Sequence, residues 1–442
     1  MNALAMEKTI YFDGLVQAGT APTVPEWLNG LRATASARTA TLALPDTRNE
    51  DWRFTDIGPL RKLSFQYAAG TPRALTLKDI AAFVLPEAVS RLVFVNGVYA
   101  PQLSSLAGLP EGVTMARFAD AAVSRISIEA HLGRYAQFDR DAFPALNTSL
   151  LNDGALIAVA KGVRCTQPVH LLFVASAGDA PLSAHPRCLV VAEKDSDCLV
   201  IEDYVSLDDG VYFTNPVTEI AVQDNARVRH VKLQRESHKA FHIANTFVQL
   251  GRAARYSGNT VTLGARISRH DLRVLQTAEG TECTLDGLTL IGGRQLADTH
   301  TTIDHAKAHG LSRQSNKCIV DGGAHAVFNG KILVRKDAQQ TDSAQSSRNL
   351  LLSDKAHIDT KPQLEIFADD VKCAHGATVG QLDLDEVFYL KSRGLSENVA
   401  RSLLIYAFAA EIIAKIPLAS VKKQLERVVM EQMHIESIGN TL

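Results

Sequence analysis

Short runs in which apolar and polar residues alternate fill the middle of the chain, from about residue 155 to about residue 380. They include TEIAVQ, ARVRHVKLQ, TECTLDGLTLIGG, AHAVFNGKILV and KPQLEIFA. A period of two is typical of β-strands, whose side chains point alternately to opposite faces. The region lacks the helical segments of about 10 to 15 residues that connect the strands of a doubly wound sheet. The pattern therefore predicts a core made mainly of β-strands.

Similar short openings precede several of these runs, about one coil of a solenoid apart. They are Asn225-Ala226, Arg252-Ala253, Gly280-Thr281, Gly323-Ala324 and Lys355-Ala356. Repetition of this kind favours a parallel β-helix, in which each coil stacks on the one before it. A β-sandwich fits less well because regular hairpin turns are sparse, and the hexapeptide repeat of left-handed acyltransferase helices is absent.

Residues 1–150 have a mixed, partly helical pattern. VPEWLNGLRATASA has the spacing of a helix, and SRLVFVNGVYAP predicts a hairpin that turns at Asn96 and Gly97. We therefore separate an N-terminal region, residues 1–150, from a β-helix core, residues 151–381.

From residue 382 the pattern becomes helical, which predicts a C-terminal helical region over residues 382–442. Asp383 and Glu386 make a capping box before EVFYLKSR, and Gly394 stands where a helix commonly ends. A second helix begins after Ser396, and a third follows it. The predicted apolar faces are Val399, Leu403, Ala407, Ala410 and Ile413 in the second helix and Val421, Leu425, Val428 and Met433 in the third. These faces need a surface, which is either the open end of the solenoid or a partner protein.

Composition narrows the class of protein. The chain has 46 Lys and Arg residues against 48 Asp and Glu residues, which is not the basic balance of a nucleic-acid-binding protein. Six cysteines without a Cys-x-x-Cys pair predict a reduced chain rather than a disulfide scaffold. The most apolar stretch is interrupted by Glu411 and Lys415 and is too short to span a membrane. Without an apolar signal segment, these features predict a soluble, cytoplasmic protein.

Several enzyme motifs are missing from the sequence. There is no Gly-x-x-x-x-Gly-Lys-Ser/Thr loop, so we expect that this chain binds no nucleotide and that a partner handles any ATP. The Gly-x-Ser-x-Gly elbow, the His-Glu-x-x-His helix and the Rossmann fingerprint are missing as well. The remaining candidates are thiols, imidazoles and carboxylates in the last third.

The segment DTHTTIDHAKAH contains Asp298, His300, Asp304, His305 and His309. On a strand, His300 and Asp304 share one face while His305 points to the other, so the three histidines do not converge by spacing alone. A metal site here depends on the geometry of the coil. We favour the alternative, in which these side chains bond backbone groups at solenoid turns.

The segment KCAH places Cys373 and His375 on one face of a predicted strand. A thiolate and an imidazole suit a borderline-soft metal such as iron or zinc. Two ligands are too few, because a cluster or a structural tetrahedral site takes about four protein ligands. The pair therefore implies a site shared with another chain, or no site. In the second case Cys373 is a small apolar residue and His375 satisfies a turn.

Asp369 and Asp370, with His375 and Gly376, allow a further hypothesis, a β-helix enzyme acting on acidic polysaccharides. Two carboxylates can divide the roles of acid and base. Adjacent residues of a strand point to opposite faces, however, and cannot flank one bond without a bulge. This enzyme is a distant alternative.

The last third also resembles a known family. AVFNGKILV and AQQTDSAQSSRNLLLSDKAHIDTKPQLEIFADDVKCAHGATVGQLDLDEVFYLKSRGL are similar to the signature of the SufB/SufD family of iron-sulfur cluster assembly proteins. NEDWRFTDI, residues 49–57, resembles the N-terminal motif of that family, and the similarity is dense from about residue 298 to about residue 415. The SufD branch fits best, because SufB-like chains carry a cysteine where Ser346, Ser347, Arg348 and Asn349 offer no thiol.

The resemblance implies a right-handed parallel β-helix between N-terminal and C-terminal helical regions. It also implies a SufBCD complex, in which this chain pairs through its β-helix with a SufB-like paralogue and each of the two binds the ATPase SufC through its C-terminal helices. Iron-sulfur clusters are built on that scaffold, and a donor system supplies sulfur indirectly. The chain would be a non-catalytic subunit. In isolation, without a SufB-like partner, a homodimer is the alternative to that pair.

Carried over to this sequence, His375 matches the family histidine proposed as a cluster ligand at the interface, with Cys373 beside it. A transient iron-sulfur cluster would then be shared with the SufB-like partner. For SufC docking, the resemblance indicates the helix over residues 396–415, with Phe388, Tyr389, Arg393, Leu403 and Tyr406. The alternative is a purely structural subunit that positions SufB and SufC without ligating the cluster.

Overall fold

The structure, a computed structural model, describes residues 15–16, 26–68, 74–123, 128–178 and 181–432. The α-helices include α1 (Glu26–Thr41), α2 (Gly58–Arg61), α3 (Ala142–Ser149), α4 (Leu384–Ser392), α5 (Glu397–Ile413) and α6 (Ala419–Gln432). Short 3-10 helices lie at Glu50–Trp52, Ala81–Phe83, Pro101–Leu103, Phe118–Val123 and Ile128–Ala130.

The strands fall mainly between residues 155 and 380. They are β1 (Gln66–Tyr67), β2 (Ser90–Val95), β3 (Val98–Tyr99), β4 (Val113–Arg117), β5 (Ala155–Val159), β6 (Val169–Ala175), β7 (Leu182–Ala184), β8 (Arg187–Ala192), β9 (Asp197–Ser206), β10 (Tyr212–Thr214), β11 (Val217–Val222), β12 (Arg227–Arg235), β13 (Phe241–Leu250), β14 (Arg255–Thr262), β15 (Ile267–Gln276), β16 (Glu282–Ile291), β17 (Leu296–His305), β18 (Leu311–Val320), β19 (His325–Val334), β20 (Asp342–Leu351), β21 (His357–Ile366) and β22 (Lys372–Gly380).

Two parallel sheets wind into a solenoid of about seven turns. The first sheet runs from β5 through β8, β11, β13, β15, β17 and β19 to β21. The second sheet runs from β6 through β9, β12, β14, β16, β18 and β20 to β22. Neighbouring strands pair residue by residue, as Ile267, Leu296 and His325 do in the first sheet. The prediction of a mainly β fold with a parallel β-helix core and flanking helices is confirmed.

The repeated openings mark the corners of the coils. Asn225, Ala253 and Gly280 have positive φ angles of 57°, 54° and 67°, and each comes just before a strand of the second sheet. The openings at residues 323–324 and 355–356 come before strands of the first sheet instead. The predicted repeat therefore combines two different corners, and only corners of the same kind are one coil apart.

The N-terminal end of the solenoid is closed by strands of the N-terminal region. In the first sheet, β4 pairs antiparallel with β5. In the second sheet, β2 pairs with β6, and β2 and β3 form a hairpin in which Phe94 lies opposite Tyr99. Asn96 and Gly97 have φ angles of 50° and 82°, which fits the tight turn that the sequence predicts there.

Within the described ranges, nothing covers the C-terminal end of the solenoid. Strands β21 and β22 stand last in their sheets, and nearly all residues of β22 are exposed. Large apolar side chains are exposed beside this end: Ile366 is 39% exposed, Phe367 63% and Val379 46%. An unpaired strand edge with apolar neighbours is a surface on which another chain can pair.

Helix α5, with α6 packed against it, covers part of the outer face of the second sheet. Ile405, Ala409 and Ile412 of α5 pack in one buried cluster with Leu288 and Ile319 of the sheet. This packing removes apolar surface of both elements from water, which stabilises the fold by about 25 cal/mol for each Å² buried. The helices therefore lie along the flank of the solenoid, and the alternative in which they close its open end is wrong.

Two lysines tie α5 to the same sheet. The Lys317 ammonium bonds to the Phe408 carbonyl oxygen at 3.0 Å and to the Glu411 carboxylate, while Lys415 Nζ lies 2.7 Å from Asp286 Oδ1. None of the helices in the described ranges is both long and apolar enough to cross a bilayer.

The predicted apolar stripe of α5 is displaced from the one that packs. The buried residues of α5 are Ala400, Ser402, Ile405, Ala409, Ile412 and Ile413, so only Ile413 of the predicted set is fully buried. In α6, Val421, Leu425 and Val429 are buried and Val428 is partly buried, in close agreement with the prediction. Met433 lies outside the described residues.

The N-terminal region covers the outer face of the first sheet. Leu28 of α1 packs with Leu156 and Leu189, near the start of the solenoid. Further along, Trp52 packs in one cluster with Ile267 of β15. Both faces of the solenoid strands are thus buried over most of its length.

The corner at Gly264 leaves no room for a side chain. A Cβ at this position would lie 2.2 Å from the Glu236 backbone oxygen. We expect Gly264→Ala to destabilise the fold by at least about 2 kcal/mol, because backbone atoms must shift. Urea unfolding measures this change. Gly30→Ala is the matched control, because that position lies in α1 with open space around it, and there we expect a gain of about 1 kcal/mol. Equal midpoints for the two variants would contradict the prediction.

Candidate functional site

Cys373 and His375 lie on β22, the last strand of the second sheet. They are paired in register with Ser343 and Gln345 of β20, two buried residues that line the interior of the solenoid. The predicted common face is therefore confirmed, and it is the interior face of the open coil. Whether the two side chains ligate a metal stays a prediction.

The environments of the two side chains differ. Cys373 is partly buried and packs with Ile332 and Val334 of β19, whereas His375 is exposed. Burial raises the pKa of the Cys373 thiol, and the negative charge of Asp342 adds to the effect. The thiol is therefore protonated near neutral pH and must lose its proton to bind a metal.

Asp369 and Asp370 do not lie on the strand of His375. They are exposed in the corner between β21 and β22. The Asp370 N–H donates to Gln339 Oε1 at 2.9 Å, and the Asp370 carbonyl accepts from the Gln340 N–H at 2.6 Å. These two bonds, one to a side chain and one within the backbone, hold the corner against the corner of the preceding coil.

The predicted cluster from Asp298 to His309 is divided between two faces of β17, as the spacing indicates. His305 points into the solenoid, where its Nε2 lies 2.9 Å from Ser312 Oγ. Asp304 forms an ion pair with Arg335 at 2.7 Å, and His309 is exposed at a corner with a φ angle of 60°. The histidines do not converge on a metal.

Asp298 and His300 join the solenoid to the N-terminal region. His300 Nε2 lies 3.0 Å from Asp298 Oδ1, and the same carboxylate accepts a bond from Thr55 Oγ1 at 2.5 Å and pairs with Arg269. Burial alone would raise the pKa of Asp298, but Arg269 and His300 hold it at about 2. The bonds of the Asp298 carboxylate therefore have a structural role, which is to hold the N-terminal region on the solenoid.

The solenoid contains a buried network of charged side chains that the alternating sequence pattern does not predict. Glu202 is buried, and its carboxylate accepts bonds from Lys232 Nζ at 3.0 Å and Thr218 Oγ1 at 2.9 Å, with His230 Nε2 at 3.1 Å. Burial would raise the pKa of Glu202, yet Lys232 and His230 hold it well below its usual range. Every charge has a partner, so the network packs the interior.

The residues predicted to bind SufC fall into two groups. Phe388 and Tyr389 of α4 are 71% and 57% exposed, and the Arg393 guanidinium lies 5.2 Å from the Tyr389 ring centre. Leu403 and Tyr406 lie on α5 and are half-buried. Tyr406 packs against the cluster between α5 and the second sheet. Leu384, which is 72% exposed, extends the α4 surface and was not predicted. Its signal in the sequence is an apolar residue among the acidic residues Asp383, Asp385 and Glu386.

Two family models match this chain. The SufBD core domain of the SUF system for FeS cluster assembly matches residues 173–408, and the SufBD protein N-terminal region matches residues 17–171. The chain belongs to the SufB/SufD family. The family match covers the solenoid together with parts of the regions that flank it. It agrees with the resemblance drawn from the last third of the sequence.

Several proteins similar to this SufB/SufD family chain are named for iron-sulfur cluster assembly. An iron-sulfur cluster assembly SufBD family protein of Synechocystis sp. is 42% identical over 93% of this chain and 93% of its own length. The iron-sulfur cluster assembly protein SufD of Escherichia coli is 34% identical over 86% of this chain and 88% of its own. SufD of Bacillus subtilis is 27% identical over 92% of this chain and 94% of its own. The prediction of the SufD branch of iron-sulfur cluster assembly proteins is confirmed.

Because His305 is buried, we expect the free energy of unfolding of this SufB/SufD chain to fall in acid. Burial lowers the pKa of His305 to about 4, so below pH 6.5 the unfolded chain binds a proton that the folded chain does not. The contribution of His305 to stability is complete above about pH 6.5 and is lost as the pH falls to about 4. Between pH 7 and pH 4.5 the loss is about 2.5 kcal/mol.

Urea unfolding at pH 7 and at pH 4.5 measures this loss. The difference in unfolding free energy between the two pH values should be smaller in His305→Gln than in the native chain. His309→Asn is the control, because His309 is exposed and asparagine tolerates its positive φ. An equal difference in the native chain and in His305→Gln would refute the assignment.

Proposed function

We propose that this chain is a non-catalytic scaffold subunit of a cytoplasmic SufBCD complex for iron-sulfur cluster assembly. In this proposal it pairs with a SufB-like paralogue and holds a nascent cluster jointly with it through His375 and Cys373. The observation that carries the proposal is the position of these two side chains, on one face of an exposed strand at the open end of the solenoid.

The number of ligands supports a shared cluster. Cys373 and His375 supply one sulfur and one nitrogen, whereas a cluster takes about four protein ligands. The neighbouring strand β20 carries Ser346, Ser347, Arg348 and Asn349 where SufB-like chains carry a cysteine. The missing ligands would therefore come from the partner.

The open end of the solenoid supports pairing through the β-helix. Among the strands that the structure describes, β21 and β22 each have a neighbour on one side only of their sheets. Their backbone groups and the exposed Ile366, Phe367 and Val379 offer main-chain bonds and apolar surface to a second solenoid. The same edge would allow the isolated chain to form a homodimer.

The exposed face of α4 supports docking of SufC. Phe388, Tyr389 and Arg393 are residue types that are enriched in protein interfaces, and tyrosine and arginine are frequent among the residues that contribute most of the binding energy. ATP would bind to SufC, and closure of two SufC subunits would rearrange the paired solenoids and admit iron and sulfur to the ligands. The relatives are iron-sulfur cluster assembly proteins, which speaks against the polysaccharide enzyme.

His375 separates a ligating subunit from a purely structural one. The complex, co-expressed with its SufB-like and SufC partners, would be purified without oxygen, and its iron and acid-labile sulfide measured. In His375→Ala we expect iron and sulfide to fall severalfold while the three subunits still assemble. Cys373→Ser should lower iron and sulfide as well, because it replaces the proposed sulfur ligand and changes little else.

The control for this experiment is Thr378→Ala. Thr378 is exposed on the same strand but on the opposite face, so this change should leave iron and sulfide unchanged. Iron and sulfide at the native level in an assembled His375→Ala complex would favour the purely structural subunit.

Truncating the α4 surface should weaken SufC binding. We expect Phe388→Ala combined with Tyr389→Ala to reduce the affinity for SufC by at least about 2 kcal/mol, because both rings are exposed and available to a partner. Calorimetric titration of SufC into the chain measures the affinity. Leu106→Ala, which truncates a 50% exposed apolar side chain in the N-terminal region, is the matched control. Equal affinities in both variants would move the SufC site away from α4.

A further inference from the structure

Two imidazoles and a carboxylate meet on the outer face of the first sheet. His325 begins β19 and His357 begins β21, and the two residues lie directly opposite each other in the ladder. Asp359 lies two residues further along β21 and therefore on the same face. Their side chains are 25%, 65% and 23% exposed, so solvent ions reach all three.

The donor atoms are already close together. The Nε2 atoms of His325 and His357 lie 2.8 Å and 3.2 Å from Asp359 Oδ2. One ligand atom from each of the three residues lies within 4.8 Å of the others. Around an ion with bonds of about 2.1 Å, adjacent ligand atoms are about 3.0 to 3.4 Å apart. Small movements of the side chains would therefore admit an ion between them.

The set of donors suits a particular class of ion. Two imidazole nitrogens and one carboxylate oxygen, without a thiolate, form the two-histidine and one-carboxylate arrangement that leaves positions open for other ligands. The neighbouring cation on this face, Lys361, is held by Glu50 at 2.7 Å. In the part of the chain that the structure describes, this is the one place where three such ligands converge.

We propose that His325, His357 and Asp359 form a binding site for a first-row divalent cation such as iron(II) or zinc(II). The site is separate from Cys373 and His375, which lie on the other sheet, and it does not depend on the proposed function. A bound ion would join β19 to β21 and so fasten the last strand of the first sheet to the coil before it. Because the ion binds the folded chain, it would also raise the unfolding temperature.

Cobalt(II) is the probe for this site. The full chain without an affinity tag would be freed of metal by chelation and titrated with Co²⁺ in the absence of oxygen. Visible absorption reports the ligand field of the bound ion. Cys373→Ser and His375→Ala would be present in every sample, so that the proposed cluster ligands do not contribute. We expect one saturable equivalent of Co²⁺, displaced by Fe²⁺ or Zn²⁺ added in turn.

The variants decide whether these three residues hold the ion. His325→Ala, His357→Ala and Asp359→Asn should each weaken Co²⁺ binding at least about tenfold and abolish the rise in unfolding temperature that Zn²⁺ produces. His309→Asn, which alters an exposed histidine at a corner, should change neither. Circular dichroism would check that each variant folds.

Two results would overturn the proposal. One is a chain that binds no Co²⁺ at a saturable site. The other is binding that survives unchanged in folded His357→Ala and Asp359→Asn variants, since the ion would then lie elsewhere. Both readouts stay valid if His375 proves not to ligate a cluster, because the titration is made without that side chain.

Discussion

Pairing in register between successive coils is the constraint on which this structure depends. In a parallel solenoid the N–H and C=O groups of each strand are satisfied by the coil before it and the coil after it. A shift of one residue would exchange the interior and exterior side chains of a whole strand. The first coil ends on β4 and on the hairpin of β2 and β3. The last coil has no such cover in the described chain, and the candidate cluster ligands lie there.

The elements that follow from local patterns were predictable from the sequence. Alternation located the strands, and Asn96-Gly97 located a hairpin, because positive φ angles at two adjacent residues favour those residue types. The apolar face of α5 was not predictable in the same way. This helix is apolar on almost every side, from Leu403 to Ile413, so its sequence does not define one direction of packing.

The interior charges were hidden for a related reason. In this solenoid both faces of most strands are covered, so a polar residue in an alternating run does not identify the solvent side. Glu202 and Lys232 resemble surface residues in the sequence, yet they lie inside and neutralise each other. Cys373 and His375 could be predicted as neighbours because they are two residues apart on one strand. His325 and Asp359 are brought together only by the register of the ladder, which the sequence alone does not supply.

The attachment of α4 has a mechanical consequence. Residues 381–383 alone separate this exposed helix from β22, whereas α5 is fixed to the flank of the solenoid through Lys317 and Lys415. A load applied to α4 would therefore be shared between an anchored helix and a strand that, within the described chain, is hydrogen-bonded along one edge. Since the coils behind β22 are bonded along both edges, displacement would concentrate in β22.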